Sequence, residues 1–294
     1  MISIIICSRN KTLLNTVSES VKNTIGVPYE IIAIDNSEGK YGICKAYNLG
    51  AAQAKYDIFC FMHEDITFET QNWGQNVVKH LKDERVGLIG VMGAYPMLIV
   101  PFYSDLKTES NIIFVDVDTN VHTLSNETMS PDDNALIKET LGVDGTLMIT
   151  RRNVFNEFKF DDITLTAFHG YDVDFSVQVQ SKYKVCVVFD VLLKHYFKGG
   201  PNKSYVIEML KLTKKWKNIL PLSLKPYTYT EFANLHWKGM PKFTESMIQF
   251  GFKWPYVFKQ FLYLSLNRYF KLIPFIRVIK NIIIPKIYTD LKNA

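Results

Sequence analysis

The amino-acid sequence predicts an α/β fold, with a mostly parallel central sheet covered by helices and a helical extension at the C-terminal end. Three observations carry this. Apolar strand-like runs alternate with helically spaced runs as β-α-β-α-β through the first 65 residues. Polar residues cluster directly after each of those strands. The third run, Ile58 to Met62, is nearly continuous in apolar residues, as expected of a strand buried on both faces of a parallel sheet. Right-handed crossovers then put helices on both faces and gather the polar strand ends on one rim. Open α/β sheets bind their ligands at that rim.

Taken in order, Ile2 to Cys7 is the first strand, and it runs into Ser8-Arg9-Asn10. Lys11 to Ile25 has helical spacing through Leu14, Val17, Val21 and Ile25, closed by Gly26 and Pro28. Tyr29 to Ile34 is the second strand and ends in the turn-rich run Asp35-Asn-Ser-Glu-Gly39. Ile43 to Ala54 is a helix of small residues containing Tyr47-Asn48-Leu-Gly50. The third strand ends in His63-Glu64-Asp65. A carboxylate there can hold a hard divalent cation, and the cation a diphosphate. The same residues also suit a solvated strand end with an ordinary turn. A dinucleotide fingerprint after the first strand and a P-loop are both absent.

A helix around Trp73 to Leu81 and a strand at Val86 to Val91 follow. Val86 to Ser104 carries no charge, but Gly87, Gly90, Gly93, Pro96 and Pro101 interrupt it. It reads as a strand and a loop, not as a membrane span. Residues 94 to 140 are irregular in pattern, with an edge strand expected at Ile112 to Val117. Leu141 to Arg152 returns to strand character, and Phe168 to Phe175 holds a second acidic cluster. Beyond it Val173, Phe175, Val177 and Val179 alternate with polar residues, which is strand periodicity. A helix would put only Phe175, Val179 and Tyr183 on one face. Lys184 to Leu193 is a further buried strand, ending in Lys194-His195. Asp116-Val-Asp118 and Asp172-Val-Asp174 compete with His63-Glu64-Asp65 as cation sites. A solvated edge strand explains the first of them better.

Composition bounds the function classes. A chain of 294 residues, 47% hydrophobic and 21% charged, fits one large globular domain with an appendage, or two small ones. It excludes a disordered chain. Cys7, Cys44, Cys60 and Cys186 form no CxxC pair, and three lie in or beside apolar runs. Buried free thiols in a reducing compartment are expected. No basic-then-apolar leader opens the sequence, so a cytoplasmic protein is expected. The net charge of +5 is uneven: from Lys253 onward six lysines and two arginines face one acid, Asp290. Ser204 to Leu220 has helical spacing, and Pro255, Pro274 and Pro285 divide the later stretch into short helices. This basic, aromatic-rich region is either a packed helical subdomain with solvated cations or an in-plane anchor on an anionic membrane surface. Nucleic-acid binding is not expected, because a basic patch alone is poor evidence for it.

Together these pieces resemble the family 2 glycosyltransferases, which have the Rossmann-like glycosyltransferase A (GT-A) fold. The resemblance covers roughly residues 1 to 204 and rests on order and spacing. Its pieces are Ser8-Arg9-Asn10, Ile31 to Ser37, Ala46 to Gly50, Met62 to Asp65, Val143-Asp144-Gly145 with Arg151-Arg152, Gly170 to Asp174, and His195 with Ser204. It implies a catalytic domain over 1–204 and a helical region over 205–294. It implies an inverting, metal-dependent enzyme that moves a sugar from a nucleotide-diphosphate donor, usually a UDP-sugar, to an acceptor hydroxyl. The acceptor would be a glycan or a lipid-linked molecule of cell-surface glycan or polysaccharide synthesis. By the same resemblance Cys7, Ser8, Arg9, Asp35, Asn48, Glu64, Asp144 and Gly145 hold the nucleotide sugar, with Asp35 reaching the base. Asp65 and His195 hold Mn2+ or Mg2+, and Asp172 is the general base at the start of a helix. One departure stands out. Where the family's Asp-x-Asp motif opens with a carboxylate, this chain has His63, a softer and neutral ligand. That substitution keeps open a non-catalytic nucleotide-sugar-binding or scaffold protein of the same fold.

Overall fold

A computed structural model describes residues 1–101, 107–127, 135–198 and 200–292. The elements in chain order are β1 (Ile2–Ser8), α1 (Lys11–Thr24), β2 (Tyr29–Asp35), α2 (Ile43–Gln53), β3 (Ile58–Met62), β4 (Ile66–Phe68), α3 (Trp73–His80), β5 (Val86–Gly90) and β6 (Met92–Tyr95). There follow β7 (Lys107–Asp116), β8 (His122–Glu127), β9 (Ile137–Thr140), β10 (Gly142–Val143), β11 (Leu147–Arg151), α4 (Arg152–Phe158), α5 (Tyr171–Gln180), β12 (Lys184–Val188) and β13 (Leu193–Phe197). Helices complete the chain: α6 (Lys203–Trp216), α7 (Tyr229–Gln249), α8 (Trp254–Ser265), α9 (Leu272–Val278), a π-helical turn (Ile279–Ile283) and α10 (Ile284–Lys292).

Among the described residues the strands form two sheets. The larger runs β2-β1-β3-β11-β5-β12-β9, and the smaller β10-β6-β7-β13-β4, with β8 beside β7. In the larger sheet β2, β1, β3, β5 and β12 share one direction, and β11 and β9 oppose them. The expected parallel arrangement of the first three strands is present, with Ser8 opposite Asp35 and Ile6 opposite Met62.

Strand alternation explains the two layers of cover. Ile2, Ile4 and Ile6, with Cys60 and Met62, meet Val17 and Val21 of α1 and Trp73 and Val77 of α3. The other face carries an aromatic cluster in which Phe61 contacts Tyr47, Phe155 and Phe160. On that side α2 lies close over β1, because a Cβ at Gly50 would collide with the Ile5 side chain.

Three strand readings change. The strand expected at an edge, Ile112 to Val117, belongs to β7, which has β13 on one side and β8 on the other. Its first half is polar yet buried, because Ser110 bonds Ser125 and the Asn111 amide donates to the carbonyls of Phe189 and Val191. Leu141 to Arg152 contains two strands, β10 and β11, which lie in different sheets. Lys184 to His195 likewise splits: β12 ends at Val188, and the chain enters the smaller sheet as β13, so His195 sits within a strand rather than after one. Residues 171–180 form the helix that the resemblance implies, despite their period-two pattern. α5 is buried around most of its circumference, so polar residues inside it are satisfied locally: the Ser176 hydroxyl accepts from the Val143 N–H, and Gln178 donates to Asp174. The uncharged segment from Val86 supplies β5 and β6. Its residues beyond 101 lie outside the described residues.

Residues 96–101 and 201–292 form a second compact unit. Its core includes Val206, Leu210, Trp237, Met240, Phe243, Phe261 and Leu264. Thr228 and Glu231 make a capping box at the start of α7. Pro255 and Pro274 lie in the first turns of α8 and α9, where a missing N–H is tolerated. Pro285 does not divide the chain as expected. The helix stays continuous by widening to a π turn just before it, which relieves the clash of the ring with the preceding turn. No helix among the described residues is long and apolar enough to cross a membrane.

Candidate active site

The three polar strand ends meet at one rim, as parallel pairing of β2, β1 and β3 requires. Glu64 ties two of them together. Its carboxylate accepts from the Ser8 hydroxyl at 2.8 Å and from the backbone N–H groups of Arg9 and Asn10 at 3.1 Å. Asn10 in turn caps α1, its side chain accepting from Thr12 and Leu13. Cys7 receives the Asn36 amide at 3.4 Å, and burial pushes its thiol up. Asp35 is exposed at the end of β2. The N–H and hydroxyl of Ser37 hold its carboxyl below the usual range. The Arg9 guanidinium lies 5.6 Å from the centre of the Phe168 ring. Asn48 is turned to a different task. Its amide donates to the Phe160 carbonyl at 2.9 Å and accepts from the Phe160 N–H at 3.2 Å, fastening α2 to the segment before α5.

His63, Asp65 and His195 converge. One ligand-capable atom from each lies within 4.8 Å of the other two. Asp65 sits between β3 and β4, and antiparallel pairing of β4 with β13 puts His195 opposite Ile66. Asp65 Oδ1 is 3.4 Å from His195 Nε2 and 3.7 Å from His63 Nδ1. Burial disfavours the charge on Asp65, but His195 and His63 outweigh it and hold the carboxyl below its ordinary range. Burial lowers His63, against the pull of Asp65. In His195 the same opposition resolves the other way, and Asp65 raises it. Asp65 Oδ1 is buried and has no hydrogen-bond partner among the described residues. A buried carboxylate oxygen without a donor is costly. With an imidazole nitrogen near it on each of two elements, this donor set fits a divalent cation.

A turn between β10 and β11 borders the cluster. Asp144 Oδ1 accepts from the N–H and the hydroxyl of Thr146, closing the turn. The Thr146 carbonyl accepts from the His63 N–H, and its hydroxyl lies 3.4 Å from His195 Nδ1. Gly145 faces Tyr171, and a Cβ there would collide with the Tyr171 hydroxyl. That hydroxyl is 2.9 Å from His63 Nε2. The next residue, Asp172, accepts from the Gly145 N–H through Oδ2 at 3.2 Å. Gly170, at φ +76°, makes the turn that starts α5 here. Burial, and then the charge of Asp144, push the Asp172 carboxyl up to about 7, against the N–H groups that stabilise its anion. Asp174 points elsewhere: it is buried and bonded to Gln178.

On the other flank of His195 lies an open cleft of about 670 Å3, lined by Phe114, Asp116, Thr119, Val121, Thr123, His195 and Phe197. Asp116 is not a ligand of the cluster. It closes the β7–β8 turn by accepting from the N–H groups of Asp118 and Thr119, and Asp118 pairs with Lys198 at 2.9 Å. Sequence reasoning missed Tyr171, whose only signal is its place beside Asp172. It also missed Thr146, Phe114 and Phe197, which carry no motif.

The model of a family described as glycosyltransferase-like matches residues 3–215. No curated protein matches the chain. Among solved structures, GalNAc-T7 with UDP, GalNAc and Mn2+ is similar over 96% of this chain, at 13% identity and a TM-score of 0.55. The chain spans 56% of the length of that structure. S. aureus TarS 1-349 in complex with UDP-GlcNAc is similar over 90% of this chain and 72% of its own, at 12% identity and a TM-score of 0.43. At 13% identity the likeness to GalNAc-T7 is one of fold, and the fold is that of the GT-A glycosyltransferases.

Proposed function

The chain belongs to the glycosyltransferase-like family, and on that premise we propose that it transfers a sugar from a UDP-sugar to an acceptor hydroxyl, with inversion at the anomeric carbon. The acceptor is a glycan or a lipid-linked molecule of polysaccharide synthesis. One observation carries the reading. The candidate base adjoins the candidate metal cluster: Tyr171, its neighbour in the chain, meets His63 through its hydroxyl, and Asp172 accepts from Gly145, in the turn whose Thr146 carbonyl accepts from the His63 N–H.

Asp172 takes the proton from the acceptor hydroxyl as that oxygen bonds to the anomeric carbon. The bond from that carbon to the diphosphate breaks, and UDP leaves with the electron pair. A carboxyl lifted towards neutral pH is a better base than an ordinary one, and such proton transfer typically supplies about 10²–10⁴-fold. Asp65 and His195, with His63, would hold a divalent cation, which supplies charge neutralisation on the leaving diphosphate. Two imidazoles and one carboxylate favour Mn2+ over Mg2+, which prefers oxygen ligands. The Mn2+ and UDP present with GalNAc-T7 support the same choice. His63 then acts as a ligand, so its place in the motif does not argue for a non-catalytic scaffold. Ser8, Arg9 and Asp35 line the rim for the nucleoside, and Asp144 and Gly145 the sugar. Cys7 and Glu64 shape that rim through Asn36 and the β1 end. Asn48 supports it from behind, without a direct contact to the donor. Residues 1–204 make up the catalytic part and 205–294 a helical region.

The test is release of UDP from a panel of UDP-sugars by the purified protein in Mn2+. Release that needs an acceptor, and that falls a hundredfold or more in Asp172→Asn, supports the reading. Release indifferent to Asp172→Asn and Asp65→Ala overturns it.

A further inference from the structure

The helical path from Leu272 to Lys292 carries two apolar faces, and the protein buries only one. Phe275, Val278, Ile279, Ile283 and Ile287 pack into the core of the second unit. Leu272, Ile273, Ile276, Ile284, Tyr288 and Leu291 are exposed, Ile273 and Tyr288 each by 72%. The π turn decides how these six lie. An α-helix turns about 100° per residue, so in unbroken α geometry Ile284 and Tyr288 would sit roughly 120° and 160° around from Leu272. One extra residue in a π turn takes back about 100°. The same residues then fall within about 60° of Leu272, and Leu291 almost above it. The exposed apolar residues therefore form one stripe, about 30 Å long at 1.5 Å per residue.

Charge identifies what covers it. Arg277, Lys280 and Lys292 are exposed on this helix. Asp290, the one acid from Lys253 onward, is engaged by Lys286 and by the Trp254 N–H, so it does not offset them. A second copy would set this cationic surface against itself. A bilayer with anionic headgroups takes both parts: its acyl region receives the stripe, and its headgroups receive the cations.

We propose that residues 272–292 form an in-plane docking helix for anionic membranes, with the Leu272-to-Leu291 stripe entering the headgroup–acyl boundary. The inference goes beyond the transferase reading and does not need it, since vesicle binding requires no donor, acceptor or metal. The test is co-sedimentation of the full chain with phosphatidylcholine vesicles, with and without phosphatidylglycerol. Binding is expected only with phosphatidylglycerol, and it should weaken as salt rises. Ile273→Glu and Tyr288→Glu should each weaken it at least about tenfold while leaving the melting temperature unchanged, because both side chains are exposed. Lys280→Glu should remove the preference for phosphatidylglycerol. A wild-type chain that stays in the supernatant with both vesicles overturns the proposal. So does Ile273→Glu bound like wild type, or a wild-type dimer in light scattering that Ile273→Glu splits. UDP binding in Mn2+, measured on the same samples, reports separately on the transferase reading.

Discussion

Replacing Asp172 by asparagine should make the protein more stable while it removes turnover. The carboxyl is held by burial and by Asp144 at about 7, against about 3.9 for an aspartate in an unfolded chain. Below about pH 4 both states are protonated and the residue is neutral to stability. Between about pH 4 and 7 the unfolded chain gives up this proton and the folded protein keeps it, so the fold loses ground as pH rises. Above about pH 7 the loss is complete, since the folded protein then carries the disfavoured charge. At about 1.4 kcal/mol per unit, three units correspond to roughly 4 kcal/mol. Asp172 keeps partial contact with solvent, so about half of this, roughly 2 kcal/mol, is the reasonable expectation. An amide relieves the charge and can still accept from the Gly145 N–H. Thermal unfolding of Asp172→Asn and wild type, in EDTA across the pH range, is the assay. Equal melting temperatures near pH 4 should open to a gap of about 4–8 °C in favour of the variant near pH 8. A variant that melts lower than wild type near pH 8, or a gap independent of pH, would refute the electrostatic account of this residue.

Other outcomes follow from the cluster. Mn2+ should tighten UDP binding by calorimetry, and Asp65→Ala should abolish that gain; a wild type indifferent to metal would count against the assignment. His63→Asp exchanges an imidazole for a carboxylate and should shift the activity preference from Mn2+ towards Mg2+. An unchanged ratio of rates in the two metals would remove His63 from the ligand set. Gly145→Ala should displace the Tyr171 hydroxyl from His63 and lower turnover more than about tenfold. Turnover within twofold of wild type would show that this contact does not position the cluster.

The rim was legible because apolar runs and the polar residues that end them are both local signals. Ser8, Asp35 and Asp65 could be placed together once β1, β2 and β3 were taken as parallel. What stayed hidden depends on partners far along the chain. The buried first half of β7 is polar, and the distant carbonyls of Phe189 and Val191 make Asn111 tolerable there. α5 shows no one-sided pattern because neighbours surround it. Asn48 and Glu64 looked like ligand-facing groups, since nothing local reveals that Phe160 meets the first, and the Ser8 hydroxyl and the Arg9 and Asn10 N–H groups the second. His195 is a lone histidine until antiparallel pairing of β13 with β4 delivers it to Asp65.

The site sits where the chain changes sheets. Asp65 lies on the passage from β3 to β4, the Asp144–Thr146 turn on the passage from β10 to β11, and His195 just beyond the passage from β12 to β13. Each passage is fastened at both ends by strand pairing, so its length is set by two registers at once. Substitutions inside a passage change chemistry one side chain at a time. Gaining or losing a single residue there would have to slip a strand, and a one-residue slip turns every side chain on it to the opposite face. For this cluster spacing is therefore a stricter constraint than identity. A carboxylate could replace the His63 imidazole in place, but neither group could stand one position earlier or later.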